Sequence, residues 1–341
     1  MGGALLVHGH RGSGKTSALR KIEALVAEAA PESVVVEIPL RQGVAEGVLL
    51  RDMIDEIRRT VRVRSDSGSL FKRISERLAR IDLTVLGTGV GVTTTPGARY
   101  SNPLTIWRTC IDELGGVPLV LICIDDAELI EPAGLGTLKT LGESSGDVPV
   151  MLAVAGGPDF LARLSQRGSS PVARVFSGAT FDMEELRLDE TREAVLAPVR
   201  ASGGRATGIW ADAAIARIQD LSHGSPYLVQ CLAYAAYRDE SEITEGGVDA
   251  SIRAAVTVAE PWLRQEIPHA SDEDILSFLK LAETRKPNFR SAEILGLGIQ
   301  SPYVGRLVKL GVLKKVARGH YDLRKAPVIA YYHSLRRRLD T

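Results

Sequence analysis

The sequence predicts an α/β protein: a parallel sheet covered by helices in its first half, then helices alone, then a small end of helices and a hairpin. Three observations carry that expectation. Apolar runs of strand length alternate with amphipathic helical stretches from Ala4 to about residue 183. One run, Val117-Pro118-Leu119-Val120-Leu121-Ile122-Cys123-Ile124, is apolar throughout and ends in Asp125-Asp126. A central parallel strand must be apolar on both faces, and ligands of α/β sheets bind at its carboxyl end, where these two acids stand. From Asp189 the character changes to helices alone, at Thr191–Ala201, Ala211–Ser222, Pro226–Arg238 and Thr244–Val258.

At 341 residues, with 45% apolar and 25% charged, the chain is longer than one typical domain. Its formal net charge is zero, yet residues Thr284–Thr341 hold 13 Lys/Arg against 3 Asp/Glu, net +10. A polyanionic partner is therefore expected at that end. Cys110, Cys123 and Cys231 stand far apart in apolar or helical contexts, with no C-x-x-C or Cys/His spacing, which predicts reduced, buried thiols rather than a disulfide framework or zinc site. No apolar run reaches the ~18 residues of a membrane span. The start has no charged stretch before its apolar residues, and Leu6 stands where myristoylation needs Ser or Thr. A cytoplasmic protein with no membrane partner is expected.

The elements follow in order. Ala4–His8 is a short buried strand, and Ser17–Ala30 a helix patterned by Leu19, Ile22, Leu25 and Val26. Between them Gly9-His10-Arg11-Gly12-Ser13-Gly14-Lys15-Thr16 fits the G-x-x-x-x-G-K-[ST] phosphate-binding loop without a mismatch. Small residues are needed because successive backbone N–H groups curl around a phosphate, and Gly12 and Gly14 supply that freedom. Lys15 is expected to reach the β- and γ-phosphates, and Thr16 to hold Mg²⁺. Ser17 and the first turn of the helix add an N-terminal dipole. Downstream, Ser33–Ile38 reads as a strand, Leu49–Arg59, Ser69–Ile81 and Asn102–Leu114 as helices, and Leu83–Pro96 as a hairpin in an insertion; its glycines mimic a dinucleotide fingerprint, but no helix follows them. After the run to Ile124, a Walker B pattern, Asp125 is expected to hold Mg²⁺ and Asp126 to polarise an attacking water. Val148–Val154 and a stretch near Ala179–Met183 supply the remaining strands.

Past Glu260, Asp272–Ala282, Ser291–Leu295 and Ser301–Leu310 read as three helices. Val312–Val316 and His320–Leu323 form a hairpin around Arg318-Gly319. That order is a winged helix-turn-helix, in which the helix from Ser301 and the hairpin tip face a duplex. Arg306, Lys309, Lys314, Lys315 and Arg318 are its candidate DNA contacts, reaching mostly phosphates.

Taken together, these residues resemble AAA+ P-loop ATPases of the origin-recognition-like and archaeal-ATPase type, close to the signal-transducing STAND ATPases. The resemblance rests on Gly9–Thr16 and Ile124-Asp125-Asp126-Ala127-Glu128, on Leu186-Arg187-Leu188-Asp189-Glu190-Thr191 at the start of the family's lid, on Gly224-Ser225-Pro226-Tyr227-Leu228-Val229-Gln230, similar to its G-x-P-x-x-x-Q signature, and on the winged end. It implies sheet order 5-1-4-3-2 in a P-loop domain over residues 1–186, a helical lid over 187–259 with Pro226 near the base, and a winged helix over 260–341. It also implies ATP or ADP with Mg²⁺ as ligands. Four features depart from the family's pattern. Only Met1-Gly2-Gly3 precede the first strand, where relatives carry a segment that helps hold adenine, which implies an incomplete pocket or a truncated start. Ala155-Gly156-Gly157 offers no polar sensor, no arginine stands beside Pro226, and Asp126 replaces the commoner glutamate.

Slow Mg²⁺-dependent hydrolysis, coupled through the winged helix to double-stranded DNA, is the leading expectation. The alternative is a STAND-like ATP-occupancy switch whose winged helix docks protein. A third reading, a small-molecule kinase, leaves the basic end without a role. Arg163, Arg167 and Arg174 are candidates for an arginine presented to a neighbouring copy in a homo-oligomer.

Overall fold

A computed structural model describes residues 3–40, 46–81, 103–142, 147–164, 166, 170–201, 209–237 and 242–340. The chain divides into two compact units, Met1–Met183 and Glu184–Thr341. The first contains β1 (Gly3–His8), α1 (Lys15–Ala29), β2 (Val34–Ile38), α2 (Glu46–Arg64), α3 (Ser69–Leu78), α4 (Pro103–Asp112), β3 (Val120–Ile124), α5 (Pro132–Gly142), β4 (Val150–Gly156), α6 (Pro158–Leu164), α7 (Ser170–Phe176) and β5 (Thr180–Asp182). All five strands are parallel, in the order β2-β3-β4-β1-β5, which is the expected 5-1-4-3-2 seen from the other edge.

Strand periodicity divides the side chains between two cores. Leu6, Val36, Ile122, Leu152 and Val154 face the side covered by α2 to α7, where Met53, Ile54, Ile74 and Trp107 are buried. Their neighbours Leu5, Val7, Leu121, Cys123, Ala153 and Ala155 face α1 through Leu19. The helix α5 went unread because Gly134, Gly136 and Gly142 depress its propensity. Burial of Leu135, Leu138 and Leu141 overrides that cost. All three cysteines are buried and free, and burial pushes the Cys110 thiol up to about 12. The stretch Leu83–Pro96 lies outside the described residues.

The second unit contains α8 (Leu188–Ala201), α9 (Asp212–Ser222), α10 (Pro226–Ala236), α11 (Glu245–Leu263), α12 (Asp272–Glu283), β6 (Asn288–Arg290), α13 (Ser291–Gly296), α14 (Ser301–Lys309), β7 (Leu313–Ala317), β8 (His320–Leu323) and α15 (Pro327–Asp340). The hairpin β7–β8 is joined by β6 into an antiparallel sheet of order β6-β8-β7. One hydrophobic core runs through this unit, from Val195 and Leu228 through Val256 and Phe278 to Leu307 and Val328.

Two motifs singled out in the sequence meet inside it. Leu186 N–H donates to Gly224 O at 2.8 Å, Gln219 Nε2 donates to Leu186 O at 2.9 Å, and Thr191 Oγ1 donates to Gln219 Oε1. Gly224 has φ 73°, and a Cβ there would lie 2.2 Å from Leu186 O, so only glycine fits. Among the described residues no helix is long and apolar enough to cross a membrane.

Candidate functional site

The β1 strand pairs with β4 as far as His8 opposite Gly156, so Gly9–Gly14 leave at the carboxyl edge of the sheet. Gly12 (φ 79°) and Gly14 (φ 90°) are left-handed. A side chain on Gly9 would meet Ser13 Oγ at 2.6 Å and Met183 Cβ at 2.9 Å. α1 starts at Lys15 with no acid in its first turn, which leaves its free N–H groups and dipole to an anion. Lys15 Nζ folds back over the loop and donates to Gly9 O at 3.1 Å and His10 O at 3.0 Å. Ser13 Oγ is buried with no hydrogen-bond partner. A buried hydroxyl left unpaired costs about 1–3 kcal/mol, so the loop carries a donor in need of an acceptor. His10, Arg11, Thr16 and Ser17 are exposed.

Two positions along the sheet, β3 presents its acids. Thr16 Oγ1 donates to Asp125 Oδ2 at 2.5 Å, although the two residues lie 109 positions apart. Asp125 Oδ1 accepts the Asp126 N–H at 2.9 Å. Asp126 is left-handed (φ 50°), an unusual conformation for a non-glycine residue and one that clusters at functional sites. Partial burial raises its carboxyl above the usual range, Asp125 and Glu128 add to this, and Lys15 and Arg11 oppose it. The donor set fits a phosphate, and Thr16 with Asp125 fits a hard divalent cation. Among the described residues no three His, Cys, Asp or Glu side chains cluster as metal ligands. A magnesium ion that keeps water and phosphate oxygens in its shell needs no such cluster.

Residues 2–164 match the family model for the AAA domain. This segment is similar to AAA domains. Among solved structures, the chain is similar to the ORC2 protein of Aeropyrum pernix in its ADPNP-ADP complexes, at 14% identity and a TM-score of 0.54, covering 100% of this chain and 90% of that one. It is also similar to the Walker-type ATPase PABY2304 of Pyrococcus abyssi, at 16% identity and a TM-score of 0.52, covering 96% of this chain and 90% of that one. At such identities the likeness is one of fold alone. No curated protein sequence matches the chain.

Within residues 2–164 the structure adds a residue that the sequence reading passed over as a site. Glu128 lies on the short turn after β3, and its Oε2 accepts the Gly157 N–H at the end of β4, at 3.1 Å. Arg163, from α6, donates to Glu128 O at 2.7 Å and to Ile130 O. Its guanidinium is thus engaged with its own chain rather than extended as a finger, because α6 packs directly against the turn after β3. Arg167 lies outside the described residues, and Arg174 is exposed near the end of α7.

The other expected site residues belong to the second unit. Pro226 opens α10 behind Ser225. Arg306 on α14 donates to Asp274 Oδ2 at 2.6 Å, so it helps tie α14 to α12. Lys309, Lys314, Lys315 and Arg318 are exposed, and none of the four forms an ion pair among the described residues.

Proposed function

We propose that this protein binds ATP with Mg²⁺ on Gly9–Thr16 and hydrolyses it slowly, using the reaction to drive a conformational cycle coupled to duplex DNA. The observation that carries the proposal is the Thr16–Asp125 contact of 2.5 Å, which brings the hydroxyl and the carboxylate of two separate motifs to one point. Gly9, His10, Arg11, Gly12, Ser13 and Gly14 cradle the phosphates, Lys15 neutralises them, and Thr16 with Asp125 holds the ion. Bound Mg²⁺ would neutralise charge building on the phosphates. Asp126, beside Asp125 at the carboxyl end of β3, takes a proton from the attacking water. Slowness is supported by the end of β4, where Ala155, Gly156 and Gly157 bring no polar side chain.

In this reading residues 1–186 are the ATPase domain, 187–259 the lid and 260–341 a winged helix-turn-helix. The element order α12, α13, α14, β7, β8 supports the last assignment, and the exposed cations Lys309, Lys314, Lys315 and Arg318 give it a phosphate-binding face. Arg174 is the described arginine available to a neighbouring copy, and buried free thiols suit a cytoplasmic protein. A second reading, a switch that depends on ATP occupancy with little turnover, draws on the same lack of polar side chains at the end of β4.

Single-turnover release of phosphate from labelled ATP, with and without duplex DNA, separates the two. Slow release that duplex accelerates supports the coupled ATPase. Tight ATP binding with no release in either condition supports the switch and overturns the proposal.

A further inference from the structure

The sheet order places β4 between β1 and β3, so the end of β4 has the phosphate-binding loop on one side and the acidic turn on the other. One peptide group there is bonded in both directions. Gly156 O accepts the Gly9 N–H at 3.3 Å, and Gly157 N–H donates to Glu128 Oε2 at 3.1 Å. That C=O and that N–H belong to the same planar trans amide and point in opposite directions. With glycine on both sides of it, little steric hindrance keeps the plane from turning. A carboxylate on the N–H both fixes the plane and polarises it, which makes the carbonyl a better acceptor.

Gly156 is structurally required, and Gly157 sits close against the carboxylate. A Cβ on Gly156 would come within 2.7 Å of the Phe160 ring, and one on Gly157 would lie 3.3 Å from Glu128 Oε1. Glu128 is itself held, since Arg163 grips its carbonyl at 2.7 Å together with that of Ile130. We propose that Glu128 is a positioning residue for the phosphate-binding loop, acting on Gly9 through the Gly156–Gly157 peptide. The inference rests on the reading of Gly9–Thr16 as a nucleotide site. It gives the β4 end, which lacks a polar side chain, a backbone group in its place, set by a carboxylate from the neighbouring strand.

The test uses the full chain labelled with ¹⁵N-glycine and no nucleotide. In Glu128→Ala the Gly157 amide resonance shifts, and the Gly9 amide, which Glu128 does not touch, shifts with it. In Glu128→Gln, which keeps an acceptor oxygen and loses the charge, both shift in the same direction by less. ADP titration should follow the same order, with affinity roughly tenfold weaker in Glu128→Ala and within about threefold of wild type in Glu128→Gln. Should Glu128→Ala not fold, Glu128→Asp, with its shorter reach, takes its place. A Gly157 shift with Gly9 unmoved, or a Glu128→Gln variant as impaired as Glu128→Ala, would overturn the relay. Failure of wild type to bind ADP would instead overturn the nucleotide reading, while the two amide resonances still decide the relay.

Discussion

Residue by residue, the proposed chemistry divides between groups that bind and groups that react. Asp125→Asn keeps the shape beside Thr16 but removes the negative charge that a cation requires. Affinity for ADP without Mg²⁺ should therefore stay within about threefold of wild type, while Mg²⁺-dependent single-turnover hydrolysis falls by two orders of magnitude or more, as roughly 3 kcal/mol of lost stabilisation implies. Asp126→Asn should leave binding intact with and without the ion and slow only the chemical step, by about 10²–10⁴-fold if Asp126 is the base. Equal loss of ADP affinity in both variants would contradict this division. Gly9–Thr16 and Asp125-Asp126 were legible in the sequence because a phosphate cradle and a strand-end acid are each defined by local spacing. Glu128 was not, because its role depends on which strand stands between β1 and β3, a property of the sheet that no spacing in the chain records. Arg163 misled for a related reason: its place after β4 suits an outward finger, but the packing of α6 turns it onto the carbonyls of Glu128 and Ile130.

Among elements, two ties invite measurement. Gly224 sits left-handed against Leu186 O, so Gly224→Ala should destabilise the second unit by at least about 2 kcal/mol, from backbone strain together with the clash. Denaturant unfolding checks this, and an unchanged midpoint would mean that the Leu186–Gly224 contact is dispensable. Asp274 caps α12 through Ser271 and receives Arg306 from α14. Burial pushes its carboxyl up, but the side-chain and backbone bonds from Ser271 and the bond from Arg306 outweigh this and hold it below the usual Asp range. A folded-state value below the unfolded one means that the stabilisation is complete above the unfolded value, near pH 4, and is lost as pH falls through the folded one. Unfolding midpoints measured between pH 7 and pH 3 should therefore fall less steeply in Asp274→Asn than in wild type; parallel curves would remove Asp274 from the account. The helices α9 to α14 were legible because caps, prolines and 3.6-residue periodicity mark them. β6 is three residues long and exists as a strand only through its pairing with β8, and α15 lies in a stretch the sequence reading left without an element.

At the scale of the whole molecule, the opposed charges of +10 at Thr284–Thr341 and −10 elsewhere were plain in the composition. Which cations stay available was not, since that depends on side-chain partners. Arg306 is bound to Asp274, whereas Lys309, Lys314, Lys315 and Arg318 make no ion pair among the described residues. If those four neutralise phosphates of a duplex, log K should fall with log salt at a slope of roughly −3 to −4. Lys314→Glu/Lys315→Glu should then abolish binding in fluorescence anisotropy at low salt, and retained binding would assign the basic end to protein docking. All of this depends on the nucleotide site. Isothermal titration of the full chain with ATP and Mg²⁺, wild type beside Lys15→Ala, tests that claim most directly. Wild type should show saturable one-to-one binding, and Lys15→Ala a loss of roughly 10- to 100-fold with unfolding behaviour unchanged, because a charged donor to phosphate is removed. No heat of binding in wild type, or equal affinity in the two proteins, would contradict it.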